Sequence, residues 1–435
     1  MRKECDMKNI TILSLFFISR MFAGAAFAQD LGIEEALRIA LEKSPTIISE
    51  RQAINKAKGS MVQAKGNFLP SLTLSGEYED GRYVSVSSGD RTDSASAGLV
   101  LTENLYAGGK HSALKRQSKA ELSQAESSIR EAEEALAVDI YDAFYSVLLA
   151  RETVAAAQDA VDTSKKHVSE VKHMLRLGLA NNLEVIRAEQ QLSSNEASLA
   201  AANGSLASSR INLLNLMGLS PASDYHPKGS LKMDVPDGSA KVSVEIAERF
   251  RADAEVLEKQ IAIQKEQIEI ARSAVRPQVD LSLSLDYANP YHNQDRTEDS
   301  WTATLSVDVP LYDRGQARGS VMQAQASQEQ NVQALAKKYL DIASEVEIAW
   351  IEIADSEVEV KAYDKALHLA RESLRLSQIG YREGVTPQLD LLEAQSNLTS
   401  ARKDYSQSLF NHLMNIVSLK RAEGILIPWT LGENK

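Results

Sequence analysis

Four short segments of the 435-residue chain alternate apolar and polar side chains with a period of two, over about residues 71–80, 94–105, 278–288 and 300–311. Their apolar positions are Leu72, Leu74 and Tyr78; Ala95, Ala97, Leu99 and Leu101; Val279, Leu281, Leu283, Leu285 and Tyr287; and Trp301, Ala303, Leu305, Val307 and Val309. Such segments, with aromatic residues near their ends (Tyr78, Tyr83, Tyr287, Tyr291 and Trp301), are typical of membrane β-barrel strands. A soluble antiparallel sheet with one buried face has the same alternation, so the strands alone leave both interpretations open.

Each pair of alternating segments is followed by a long stretch without helix breakers. Between about residues 110 and 177 there is no proline or glycine, and between 316 and 379 the only glycine is Gly319. A helix over such a stretch, at 1.5 Å per residue, is roughly 100 Å long. The sequence therefore predicts two rods, over about 110–177 and 316–380, that are too long for an ordinary globular domain.

A second helix is predicted after each rod, over about 182–217 and 387–422. Here large side chains recur every seven residues, at Val185, Leu192, Leu199, Leu206 and Leu213, and again at Leu391, Leu398, Tyr405, His412 and Leu419. A strict seven-residue repeat favours left-handed coiled-coil packing.

The chain is internally duplicated. A shift of 206 residues places Gly178 on Gly384 and Gly218 on Gly424, and Pro70 matches Pro277 after a one-residue slip. One shift that holds over so many positions indicates a duplicated structural unit. We predict a first repeat over 29–218, a linker over 219–242, a second repeat over 243–424 and a C-terminal tail over 425–435.

The first 28 residues have the features of an export signal, with a short apolar run and an Ala26-Phe27-Ala28 cleavage pattern. Cleavage there removes four basic and two acidic residues and changes the formal net charge from −12 to −14. It also removes Cys5, which is the only cysteine. An acidic exported chain of this kind is a poor candidate for nucleic-acid binding.

Four predicted strands are too few to close a barrel, and open strand edges are sites for pairing with another chain. Two copies would give eight strands, whose interior is filled by side chains, whereas three copies would give twelve and leave a channel. A trimer is therefore the expected assembly.

Two pairs of motifs carry a resemblance to a known family. Leu-Tyr-Ala-Gly-Gly-Lys at 105–110 and Leu-Tyr-Asp-Arg-Gly at 311–315 resemble its strand-to-helix turn. The segment at 381–395, Tyr-Arg-Glu-Gly-Val-Thr-Pro-Gln-Leu-Asp-Leu-Leu-Glu-Ala-Gln, resembles the family's helix–helix junction, and residues 176–188 are its counterpart in the first half. Over about residues 31–425, the chain resembles the TolC-like outer membrane efflux family.

The resemblance implies a mainly α fold with membrane β structure. It implies a homotrimer whose twelve-stranded β-barrel, with four strands per chain, lies in outer-membrane lipid and continues as an α-helical coiled-coil periplasmic tunnel. Residues 219–242 and a short helix at about 31–44 would form a belt around that tunnel. The expected function is the passive exit duct of a tripartite efflux or type I secretion system without a cofactor. Its expected partners are a periplasmic adaptor (membrane fusion protein) and an inner-membrane RND or ABC transporter.

Candidate gate residues follow the second junction. Asp390 and Glu393 lie three residues apart on one helix face, so a trimer would place six carboxylates around one axis, where they would attract cations. The resemblance matches them to acidic residues of the pore constriction, and Glu184 and Tyr381 to gate-supporting positions. Solvated helix charges that favour a helix N-terminus are the alternative interpretation of the acids.

The resemblance also implies that an adaptor docks at the helix tips. The candidate residues are Gly178, Leu179, Ala180, Gly384, Val385 and Thr386. Thr386 stands where some family members have an arginine that ties the closed tips together, so fewer ion pairs are expected to hold this tunnel closed.

No metal site or catalytic site is expected. His167 and His173 fall on different faces of the first rod and are expected to be solvated, and no nucleophile motif or acid–base pair stands out. A periplasmic coiled-coil adaptor and a soluble structural coiled coil remain alternative functions, but neither needs two pairs of amphipathic strands.

Overall fold

The computed structural model describes residues 29–84, 89–290 and 298–432. The predicted signal peptide, Tyr291 and residues 433–435 lie outside the described residues, and so does the side chain of Tyr83.

Each half of the chain contains two short helices, a β-hairpin and two long helices. The first half consists of β1 (Gln29–Leu31), α1 (Ile33–Lys43), α2 (Pro45–Gly66), β2 (Ser71–Val84), β3 (Gly89–Ala107), α3 (Lys110–Arg176) and α4 (Asn182–Leu216). The remaining elements are β4 (Tyr225–Pro227), α5 (Ala240–Phe250), α6 (Ala252–Ser273), β5 (Gln278–Pro290), β6 (Glu298–Asp308), α7 (Gln316–Arg382), α8 (Gln388–Ala422) and α9 (Leu426–Leu431).

The duplication is visible in the element bounds. Helices α1 and α2 match α5 and α6 with a shift of 207 residues, whereas α3 and α4 match α7 and α8 with a shift of 206. Ser71 pairs with Thr102, and its counterpart Gln278 pairs with Asp308, so the first hairpin is one residue longer. The one-residue slip between the repeats therefore lies within the hairpins.

The four long strands form one antiparallel sheet in the order β2-β3-β5-β6. One row of paired residues runs Leu74, Leu99, Leu285, Trp301 across all four strands. The neighbouring row contains Thr73, Val100, Ser284 and Thr302. The register thus gives the sheet one apolar and one mostly polar face, and large apolar side chains on the first are exposed in the single chain.

The two rods, α3 and α7, have 67 residues each and are paired antiparallel with α4 and α8. Small heptad neighbours such as Ala188 and Ala394 are buried, as close coiled-coil packing requires. Contacts between α3 and α8 join the two helical hairpins within the chain.

The main core surrounds the middle of α3. There Phe144 and Ile140 pack with Leu37 of α1, Leu213 of α4 and Leu413 of α8. The short strand β1 pairs in parallel with β4 and closes this layer. A second cluster, around Ile342, Val346 and Ile353, covers the equivalent part of α7.

The structure differs from the predicted organisation at three places. Two helices, not one, precede each hairpin. In the first repeat the helices are separated at Ser44, because the following Pro45 disfavours helical geometry there. In the second repeat Arg251 has the same extended conformation at the equivalent position. The predicted linker contains β4 and the start of α5. The predicted C-terminal tail contains α9, in which Trp429 stacks on Tyr141.

Within the described ranges, none of the helices combines the length and apolar character needed to cross a membrane.

Candidate functional site

Both rods end in the same turn at the tips of the helical hairpins. Gly178 and Gly384 each have a φ of +74°, a conformation that glycine adopts without a steric penalty. The amide of Leu179 donates to the carbonyl of Met174, and the amide of Val385 donates to that of Gly380, at 2.9 and 2.8 Å. These bonds satisfy carbonyls that the helix ends leave free and fix where each chain reversal begins.

The predicted docking residues differ in their exposure. Leu179 is 74% exposed and Val385 is 80% exposed, so each tip presents an apolar docking candidate to solvent. Ala180 instead packs against a small cluster formed by Val168, Val171 and Ala188. Thr386 is half-buried.

Thr386 lies against Gly380. A Cβ atom placed on Gly380 would lie 2.1 Å from the Thr386 Oγ1 atom, so this glycine allows the chain to pass close to the rod. The shift of 206 residues places Met174 at the position of Gly380. The first repeat therefore has no equivalent glycine from which this contact could have been predicted.

Asp390 and Glu393 are both exposed in the first turns of α8, whereas Leu391 and Ala394 beside them are buried. Within the described part of the chain, neither carboxylate has a basic partner. The matching positions of the first repeat are Glu184 and Arg187, whose charges cancel. Two unpaired acids are therefore a property of the second tip only.

Glu184 is held at the start of α4 by Asn181. The Asn181 side chain accepts a hydrogen bond from the Glu184 amide at 3.0 Å and donates one to the Glu184 carboxylate at 2.9 Å. Asn181 thereby caps the start of α4, and its bond to the carboxylate holds the Glu184 side chain in place.

Tyr381 lies at the end of α7, where its ring packs edge-on against His167 with a centroid distance of 5.4 Å. Its hydroxyl is buried without a hydrogen-bond partner among the described residues. Burial raises the pKa of Tyr381, and the negative charges of Glu184 and Glu170 raise it further. Tyr381 therefore packs between the hairpins as a neutral phenol.

The expectation that His167 is solvated was wrong. Its side chain is 3% exposed, because α3 meets the start of α8 at this point. The Gln388 amide group, which the sequence did not single out, donates to the Glu184 carbonyl at 2.8 Å and lies 3.2 Å from His167 Nε2. Burial lowers the pKa of His167, and the nearby Glu170 carboxylate opposes this effect. His173, one and a half turns further along α3, is exposed as expected.

In the described ranges, no three His, Cys, Asp or Glu side chains are grouped so that they could hold a metal ion.

The family model for outer membrane efflux proteins matches residues 36–219 and 250–424, which are most of both repeats. The chain belongs to the outer membrane efflux protein family. It is 23% identical to outer membrane protein TolC of Escherichia coli K12 over 84% of this chain and 76% of that protein. With Vibrio cholerae TolC it shares 22% identity over 97% and 96% of the two chains. The crystal structure of the Campylobacter jejuni CmeC outer membrane channel has the same fold, with a TM-score of 0.79 at 14% identity over 91% of this chain and 86% of that one.

Family membership confirms the predicted resemblance and the predicted location. The efflux protein lies in the outer membrane of a Gram-negative type of cell and extends into the periplasm. Its function is that of an outer membrane exit channel for efflux or secretion. The fold agrees with the predicted mainly α architecture with membrane β structure.

Proposed function

We propose that three copies of this efflux protein assemble into one passive exit duct. The observation that carries the proposal is the open edge of the four-stranded sheet, where β2 and β6 each pair with one strand only among the described residues. An edge of this length is an unsatisfied pairing site, and closure into a barrel removes it. Twelve strands from three copies leave a channel in the barrel, whereas eight do not.

The internal duplication supports a head-to-tail ring. Within one chain β3 of the first repeat pairs with β5 of the second, and α3 of the first contacts α8 of the second. The equivalent contacts of the second repeat would join β6 to β2, and α7 to α4, of the next copy. Heterologous contacts of this kind generate a closed ring when the rotation closes.

The rod α7 carries an apolar stripe that fits this neighbour. Five large residues recur along one line of the helix and are each more than half exposed in the single chain: Leu340, Ile351, Val358, Leu369 and Leu376. In α3, which the rest of the chain covers, no large apolar side chain is exposed to that degree among the described residues. The stripe supports burial of α7 against a second copy.

In the assembled duct, the second tips would meet at the axis. The three copies would contribute six carboxylates from Asp390 and Glu393 to one constriction, while Glu184 and Tyr381 would support the closed arrangement. A carboxylate ring at a constriction favours cations and repels anions.

The expected partners are a periplasmic adaptor and an inner-membrane transporter of the RND or ABC type. The adaptor would dock at the hairpin tips, around the exposed Leu179 and Val385 and the glycine turns beside them. The transporter supplies the energy and the substrate, so the duct itself needs no catalytic group and no cofactor.

Fractionation tests this proposal. Expressed with its leader in a Gram-negative host, the protein should sediment with outer membranes and migrate as a trimer on unheated detergent gels, and boiling should convert it to a monomer. A monomer in the soluble periplasmic fraction would contradict the duct and favour a periplasmic adaptor or a soluble coiled coil.

A further inference from the structure

The joint between the two hairpins of one chain contains a small buried polar cluster. His167 of α3 and Gln388 of α8 are 3% and 5% exposed, and the ring of Tyr381 covers the histidine. The Gln388 Oε1 atom and the Tyr381 hydroxyl are both buried without a partner among the described residues. Buried polar groups that lack partners are rare. In such a joint, few alternative partners can replace a hydrogen bond that is lost.

The hydrogen bonds of this cluster depend on the protonation of His167. One amide hydrogen of Gln388 is used by the Glu184 carbonyl at 2.8 Å, which ties α8 to α4. The second hydrogen can be donated to His167 Nε2 at 3.2 Å only while that nitrogen is unprotonated. In the imidazolium form both ring nitrogens are donors, so an N–H group would face the Gln388 amide hydrogens. Rotating the amide to accept from the imidazolium would break its bond to Glu184.

We propose that Gln388 and His167 form a latch that holds the α7–α8 hairpin against the α3–α4 hairpin, and that protonation of His167 releases it. The latch rests on the proposed duct, because its release matters for transport only where the tips close a tunnel. Gln388 and His167 act as positioning residues, since neither reaches the constriction itself.

The charges around His167 leave burial as the main influence on its protonation. Glu170 on the same helix favours the charged form, but it lies 3.6 Å from Arg382 of α7, which offsets part of its field. The Glu184 carboxylate of α4 is bonded to Asn181, and Tyr381 of α7 is a neutral phenol. Burial therefore lowers the pKa of His167 in the closed joint.

The direction of the pH effect follows from this lowered pKa. A histidine released into solvent titrates near its ordinary value of 6.5. The latch therefore contributes its full stability above that pH and loses it as the pH falls toward the lower pKa of the closed joint. At pH 5.5 the extra proton favours the open form by at most about tenfold per chain, and by at most about a thousandfold if three joints open together.

The latch belongs to the joint within a chain and not to the proposed joint between copies. A shift of 206 residues places Ser373 at the position of His167 and Asn182 at the position of Gln388. The serine does not titrate, so acidification would release one of the two kinds of joint and leave the other intact.

Spin-label distances test the latch. Cysteines that replace Leu179 and Val385, in a Cys5→Ser background, place one label on each exposed tip, and an excess of unlabelled chains isolates the within-chain distance. Between pH 7.5 and 5.5 the unmodified joint should gain a population with a longer distance. His167→Gln, which keeps an acceptor but does not titrate, should stay at the short distance at both pH values. Gln388→Ala should show the longer distance at both.

A matched control is His173→Gln, which removes an exposed histidine from the same rod and should respond to pH as the parent does. A distance distribution that is independent of pH in the parent, or an equal pH response in His167→Gln, would overturn the latch. The measurement is made on the detergent-solubilised chain, so it decides the latch separately from conduction. Trimers that conduct ions but whose within-chain tip distance does not change with pH would refute the latch alone. Failure of the chains to assemble would refute the duct.

Discussion

Replacing Asp390 and Glu393 by alanine together should abolish the block of the open pore by trivalent cations while the trimer stays assembled. The two residues are exposed, unpaired and three residues apart, so three copies would present six carboxylates at the constriction. Unit charges 4 Å apart attract by about 1 kcal/mol even in water, and a trivalent ion among several carboxylates gains more. The blocking concentration should therefore rise by more than about tenfold in planar bilayer recordings.

Asp355→Ala with Glu359→Ala is a matched control for this result. Both acids are exposed on α7, far along the rod from the tips, and the change in net charge is the same. The control should be blocked as the parent is. If the Asp390 and Glu393 double variant is blocked equally well, these carboxylates face away from the pore and are ordinary solvated helix charges.

Gly384→Trp should abolish export and leave the amount of trimer unchanged. A Cβ atom at this glycine would meet nothing within 4 Å, so an indole ring would extend into the open space at the tip, where the adaptor is proposed to dock. The φ of +74° adds strain of about 1–2 kcal/mol for any L-residue, which a trimer of this size tolerates. Complementation of a deletion strain, scored on a compound or polypeptide that the deletion makes the cell retain, measures the effect.

Gly384→Ala separates bulk from backbone strain. Alanine has the same φ penalty without the large side chain, so it should retain most of the export. Loss of export in both variants would show that export needs the glycine for the geometry of the turn and not for the space at the tip. Normal export by Gly384→Trp would contradict docking at this tip.

Much of the fold could be predicted because local patterns determine it. The rods follow from stretches without breakers, and the strands follow from alternation that the sheet pairs into continuous rows, as in the row from Leu74 to Trp301. The tip turns follow from Gly178 and Gly384, whose positive φ only glycine adopts easily. Pro45 carried a usable signal for the break between α1 and α2, but Arg251 makes the equivalent break without one.

The contacts between the repeats could not be predicted in this way. His167 was expected to be solvated, and it is buried because the second hairpin packs against α3 there. Gln388 is one polar residue among many until α8 is placed against α3 and α4. Such positions depend on contacts over about 200 residues of chain, which no local pattern records.

Single-channel recording in planar bilayers tests the central claim most directly. Added from detergent to one side of a bilayer, the trimer should insert in discrete conductance steps that prefer cations over anions, because a water-filled barrel is in series with an acidic constriction. Trimers that insert without conductance, or that conduct anions preferentially, would contradict the account of an acidic exit duct.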